Sequence, residues 1–364
     1  MAADTLTLAD LAGDPHPHLA RLRAEAPVAR VPALGAHLVT GRPAAIDVLR
    51  DPDTFTVDDE RFSTARVVGP SMLSTDGGEH GRHRQPYVPS FRARHVEERF
   101  GEFVDAEAER LVTELRSPAD LRTGLAAPLA AAVVAESLGL GGRDPRTVAL
   151  LVGWYHDIVG SVSGMASGQA PTCEGAAAMT KLGAAIRPHL DAHASGLADD
   201  ELVSNAAVIM FGGIETTEGM ILNALWFVLR ENVQPVDVAA AVEESLRLEP
   251  AAALVDRYAT RGVTLGGATI ERGDHVVVSL AGANRDPAEF PEPDRFVLHR
   301  PNVRRHLAFA AGPHVCIGMD LARLEARVAV ATVLDRLPAA RLGADAPAPA
   351  GLVFRKPPSM VVEW

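Results

Sequence analysis

The segment that most constrains this chain runs from Leu202 to Leu229: it is largely apolar, and too long to be anything but a helix through the centre of a core. Asp199-Asp200-Glu201 directly ahead of it places negative charge where a helix macrodipole begins. Helical spacing of apolar residues among Glu, Arg and Ala predicts further amphipathic helices from about Arg92 to about Leu115 and from Pro128 to Leu138. Another is expected from about Met319 to Leu337, with Leu321, Leu324, Val328 and Leu334 along one face. Residues 14–23 read as a turn feeding a short helix, and His37-Leu38-Val39-Thr40 as a strand. Strand signals return at Val263 to Leu265 and Val276 to Leu280, with Gly266-Gly267 and Gly273 between them as hairpin punctuation. The expected fold is mainly α with small β-sheets, an α+β architecture.

A chain of 364 residues has room for two domains, yet no Ser/Gly or Pro-rich linker and no internal repeat divides it, so residues 1–364 read as one domain. The net charge of −12 disfavours nucleic acid as a partner, because such binders concentrate Lys and Arg to release counterions. Met-Ala-Ala-Asp-Thr at the start has neither a basic region nor an apolar run, and no stretch of 18 or more apolar residues follows. The expectation is a soluble cytoplasmic protein with no membrane partner. Cys173 and Cys316 lie too far apart in sequence to suggest a disulfide framework, which leaves a thiol free to work.

Cys316 sits among small residues, in Phe309-Ala310-Ala311-Gly312-Pro313-His314-Val315-Cys316-Ile317-Gly318, just before the expected C-terminal helix. Amide N–H groups and the helix dipole there favour a thiolate. A lone cysteine at such a place is more often an inert core thiol, and the neighbours decide the matter. Phe stands seven residues ahead, His two ahead and Gly two behind, and Met319-Asp320-Leu321-Ala322-Arg323 follows. This segment resembles the haem-binding loop of the cytochrome P450 family, apart from Ala310 where the family usually has Gly. Gly212-Gly213-Ile214-Glu215-Thr216-Thr217, in the middle of the central helix, resembles that family's oxygen-binding motif. The resemblance implies a break in the helix there, and paired glycines, costly inside a helix, suggest close approach of a ligand. The resemblance covers nearly the whole chain in order, including Leu38-Val39-Thr40, Asp51-Pro52-Asp53-Thr54-Phe55 and Ala283-Asn284-Arg285-Asp286-Pro287. The stretch between His193 and Asp199 is shorter than in relatives.

The resemblance implies a cytochrome P450 fold, with a long central helix crossing haem b (iron protoporphyrin IX). It makes Cys316 the axial ligand of the haem iron, its electron donation favouring O–O cleavage. Phe309, Gly212 and Gly318 would frame the cofactor, and His80, Arg84, Arg257 and His314 would meet its propionates. Thr216 would hydrogen-bond the oxygen species while Glu215 relays protons from water. Glu244 and Arg247, a commonplace solvated pair on spacing alone, match the Glu-x-x-Arg signature of a buried ionic triad, with Arg295 of Pro293-Asp294-Arg295-Phe296 as its third member. Position alone offers Met72, Leu73, Val208, Phe211, Leu254 and Val255 as an apolar substrate pocket, although all could equally be core.

The implied activity is insertion of one atom of O2 into a small, apolar organic substrate. No phosphate loop or dinucleotide Gly motif appears, so electrons from NAD(P)H would arrive through a separate ferredoxin and ferredoxin reductase. Arg304, Arg305, Arg323 and Arg327 are candidates for that docking face. The alternative is a haem-thiolate protein of this fold without turnover, in a ligand- or carrier-binding role. His189 and His193, spaced i, i+4, could hold a metal, but no third ligand is apparent.

Overall fold

The structure is a computed structural model that describes residues 2–166, 170–189, 196–232 and 237–364. In chain order the main elements are α1 (His16–Glu25), β1 (Val28–Val31), β2 (Ala36–Val39), α2 (Arg42–Arg50), β3 (Phe55–Thr56), α3 (Ser63–Val68), α4 (Gly77–Arg84), α5 (Ala93–Glu114), α6 (Ala127–Ser137), α7 (Pro145–Ala166) and α8 (Cys173–Ile186). There follow α9 (Asp199–Glu231), α10 (Val238–Leu248), β4 (Leu254–Ala259), β5 (Val263–Leu265), β6 (Ala268–Ile270), β7 (His275–Ser279) and α11 (Met319–Arg336). The architecture is the α+β one expected, and no helix among the described residues is long and apolar enough to cross a membrane.

The central apolar run is α9. Its Glu201 carboxylate accepts the Ala198 N–H at 2.9 Å, satisfying one donor that a helix start would otherwise leave unpaired. Ile221, Leu222 and Leu225 of α9 are fully buried with Phe100 and Val104 of α5, Leu129 and Val133 of α6, and Val330 and Val333 of α11. Alanine-rich α6 approaches closely: a Cβ on Gly213 would lie 2.5 Å from Val134 Cγ2. Gly213 therefore answers to helix packing, whereas a Cβ on Gly212 would meet nothing and face open space. The expected break in the helix does not occur, because α9 continues through both glycines.

Helices α7 and α8 roof the other face of α9, burying Leu151, Ile158, Leu182 and Ile186 against Ala206 and Met210. His193 lies outside the described residues, so the paired-histidine reading finds no structural account. Among the described residues no cluster of His, Cys, Asp or Glu is arranged to hold a bare metal ion.

The main sheet has the order β1-β2-β7-β4-β3, with β2 and β7 parallel and its other pairs antiparallel. The expected pairing of 263–265 with 276–280 is corrected here: β5 pairs with β6 instead. Gly266 and Gly267, at φ +55° and +84°, supply the two left-handed positions of a tight hairpin turn. The valine run of β7 is free to become an interior strand, with Val276 and Val278 fully buried.

The ionic triad is also corrected. Arg247 donates to both Glu244 oxygens at 2.8 Å, and the third side chain is Arg300, whose Nε lies 3.1 Å from Glu244 Oε1. Arg295 instead turns to solvent, 68% exposed, and pairs with Glu292, contributing only its carbonyl to Arg247 at 3.0 Å. Replacing Glu244 by Leu leaves two buried guanidiniums without a counter-charge and should cost about 3–5 kcal/mol in denaturant unfolding. Replacing Arg295 by Ala should leave the unfolding midpoint unchanged.

Candidate active site

The cysteine loop is held at both ends. Cys316 N–H donates to the Phe309 carbonyl at 2.9 Å, and Arg84 Nη2 donates to the Val315 carbonyl at 2.6 Å. Gly312 has φ +73°, and a Cβ there would strike the Leu49 carbonyl of α2 at 2.2 Å, so only glycine lets the loop lie on that helix. Ala310 takes the same left-handed region at φ +59°. The turn forms around this alanine at the cost of backbone strain. Cys316 opens onto an internal cavity while lying deep in the protein. Burial pushes its thiol up, against the pull of a Gly318 backbone hydrogen bond and of Arg84 and Arg323. A bound metal ion, which displaces the proton, would make it a thiolate.

The cavity lies between this loop and α9, and Phe309, His314, Gly318, Arg84, Gly212 and Thr216 all line it with Cys316. His80 and Arg257 stand behind that wall. His80 stacks on His314 with ring centroids 4.3 Å apart, and its buried Nε2 has no hydrogen-bond partner. Burial, with the charges of His314 and Arg84, pushes His80 down to about 4, so its ring is neutral at pH 7. His314 Nε2 lies 2.7 Å from Asp76, which also accepts from Thr56 Oγ1 and the Val57 N–H. Burial raises the Asp76 carboxyl, but those hydrogen bonds outweigh it and bring it to about 2. Arg257 is only 6% exposed, and its one hydrogen bond among the described residues goes to the adjacent Asp256 carbonyl at 2.7 Å. A buried guanidinium that Asp76 and Asp256 attract only from beyond ion-pair distance among the described residues, and an orphaned imidazole nitrogen, fit an anionic group bound beside them. The thiol, the cavity and these buried polar groups therefore fit the haem that the sequence resemblance implies.

On α9, Thr216 Oγ1 donates to the Gly212 carbonyl at 2.5 Å and faces the cavity. Glu215 does not line it. Its two oxygens are taken by Lys356 Nζ at 2.8 Å and Tyr155 Oη at 2.6 Å. Burial raises the Glu215 carboxyl, but Lys356 and then Tyr155 more than offset it, and the group ionises below the usual carboxylate range. Met72, Leu73, Val208, Phe211 and Val255 line the cavity as expected. Leu254 does not: alternation along β4 sends it to the cluster formed by the N-terminal segment. Asp76, Tyr155 and Lys356 went unread in the sequence, as did Phe354, which meets Phe211 edge-on at 5.5 Å. Of the docking candidates, Arg304, Arg305 and Arg327 are exposed, Arg305 while pairing with Glu289 at 3.1 Å, whereas Arg323 is half-buried and bound to Glu243 at 2.6 Å. Replacing Ala310 by Gly should relieve the strained turn and raise stability by about 1 kcal/mol, read as a higher thermal midpoint.

Comparison with known proteins agrees with this geometry. The cytochrome P450 family model matches residues 238–358. The chain is 35% identical to cytochrome P450 monooxygenase PikC of Streptomyces venezuelae, over 90% of this chain and 85% of that one. It is 32% identical to nocardicin C N-oxygenase of Nocardia uniformis subsp. tsuyamanensis, over 97% of each. It superposes on the crystal structure of P450BioI, solved with an acyl carrier protein bearing hexadec-9Z-enoic acid, with a TM-score of 0.86 at 25% identity, covering 99% of this chain and 100% of that one. The chain belongs to the cytochrome P450 family and is an oxidoreductase of its haem-dependent monooxygenase kind.

Proposed function

We propose that residues 1–364 form one catalytic domain that inserts one atom of O2 into a small apolar organic molecule, in the cytoplasm, with NAD(P)H electrons delivered by a separate ferredoxin and its reductase. The observation that carries this reading is the Cys316 sulfur facing a largely apolar cavity, with His314 and Arg84 in its wall and, off that wall, the orphaned nitrogen of His80 and the buried guanidinium of Arg257. Bound haem b supplies the iron that activates O2. Cys316 would hold that iron, and Arg84, Arg257, His80 and His314 would meet the propionates, with Asp76 orienting His314. Phe309 and Gly318 would frame the cysteine side, and Gly212, with no side chain to fill the space, leaves room on the other.

Thr216 presents a hydroxyl to the cavity that can turn from the Gly212 carbonyl to donate to an acceptor held there. Glu215, one residue before it, is the acid that would relay protons to Thr216 once its carboxylate is released from Lys356 or Tyr155. Met72, Leu73, Val208, Phe211 and Val255 offer no charge to anchor a substrate, which favours an apolar one and excludes water from the reacting centre. Exposed Arg304 and Arg327 could meet an acidic ferredoxin.

Reducing the haem-loaded protein under carbon monoxide should give the red-shifted absorption band of thiolate-ligated haem. Its absence from the wild-type protein would overturn the reading, and Cys316→Ala should abolish it. A protein that shows the band but never uses NAD(P)H with redox partners would be a binding protein without turnover. Thr216→Ala should let reducing equivalents be consumed while product yield falls by about an order of magnitude or more. Unchanged coupling would remove Thr216 from the chemistry.

A further inference from the structure

The segment after Gly351 returns across the middle of α9. Ala253 N–H donates to the Val353 carbonyl and Arg355 N–H to the Ala251 carbonyl, each at 2.8 Å, so backbone bonds fix where Lys356 emerges. Gly219 makes this possible: a Cβ there would lie 2.9 Å from Ala251 Cβ and 3.4 Å from the Arg355 carbonyl. Gly219 follows Glu215 by one helical turn, so the missing side chain clears a path beside the acid. Lys356 Nζ comes to 2.8 Å from Glu215 Oε1 and 2.8 Å from Glu218 Oε2.

Four groups from four elements face Glu215: Tyr155 from α7, Lys356 from the C-terminal segment, Glu218 on α9 itself, and Arg122 from the turn before α6. Arg122 Nε also binds Glu218 Oε1 at 2.7 Å, and its side chain is the most exposed of the pairings. Glu218 is shared between Arg122 and Lys356, which leaves Lys356 as the direct counter-ion of Glu215. With both of its oxygens engaged, Glu215 cannot turn toward Thr216 without releasing a partner.

We infer that Lys356 is a positioning residue for the reaction: it holds the Glu215 carboxylate ionised and outside the cavity, and that ion pair must open before the acid can serve Thr216. This rests on Glu215 being the relay acid proposed above. Sequence spacing alone could not show it, because Lys356 lies far from Glu215 along the chain and meets it only through the notch at Gly219.

The test is an infrared pH titration of the Glu215 carboxyl in the haem-loaded protein, with Glu215→Gln used to assign the band. Lys356→Met should move its protonation upward by about one to three pH units, roughly a tenfold change or more in proton affinity. Lys356→Arg should restore most of the wild-type value. Gly219→Ala, which displaces the segment but leaves every charge in place, should shift the band in the same direction by less. A Glu215 band that stays put in Lys356→Met and in Gly219→Ala overturns the inference. The pH profile of NAD(P)H consumption with surrogate redox partners separates this from the relay reading. If the carboxyl band moves while the acid limb does not follow, Glu215 is latched by Lys356 but is not the relay.

Discussion

A guanidinium with no access to water, that of Arg247, fixes where the cysteine loop can lie. Its charge is met by Glu244, and its remaining donors reach the carbonyls of Asn284, Pro293 and Arg295. Glu244 in turn takes Arg300 and the Val297 N–H, so the irregular chain from 284 to 300 is folded onto α10 by one buried ion group. Asn284 passes the constraint forward: its Oδ1 accepts the Leu307 N–H at 2.6 Å, two residues before Phe309. A second clasp, Glu243 with His306 and Arg323, fastens the loop to the start of α11. Neither clasp touches the cavity. Both are costly to break by halves, because a buried charge left without its partner has nowhere to find water.

Chemistry that is local in sequence was legible. The cysteine, its small neighbours and the glycine pair announce themselves at fixed spacing, and the apolar run announces α9. The roof was also readable, since Val148, Leu151, Tyr155, Ile158 and Val162 recur at helical spacing in α7, though it went unread. What could not be read depends on where the backbone returns. Arg295 and Arg300 are equally plausible partners for Glu244 until the chain turns one outward and the other in. Leu254 and Val255 differ only in which face of β4 they occupy. Asp76 and Lys356 carry no motif of their own, and they acquire a role by meeting His314 and Glu215 across more than a hundred residues of chain.

The site divides its charge with a clear logic. Arg84 and His314 stand at one edge of the cavity, with Asp76 behind His314, Glu215 and Glu218 are held by Lys356 off the cavity, and the lining between is largely apolar. Arg84 and Arg257 are both pulled down by desolvation, the mark of charged groups placed where water is scarce. A protein that spent stability on such groups with no ligand to satisfy them would be hard to explain. The same economy applies to the cysteine, whose thiol is raised by burial and whose ionised form gains most from a metal.

The central claim is that sulfur from residue 316 binds the iron of haem b within this cradle. X-ray absorption at the iron edge of the purified ferric holoprotein tests it without reference to turnover or substrate. The account predicts one sulfur beside the four porphyrin nitrogens, lost in Cys316→Ala. Iron surrounded by nitrogen and oxygen alone in the wild-type protein would contradict it.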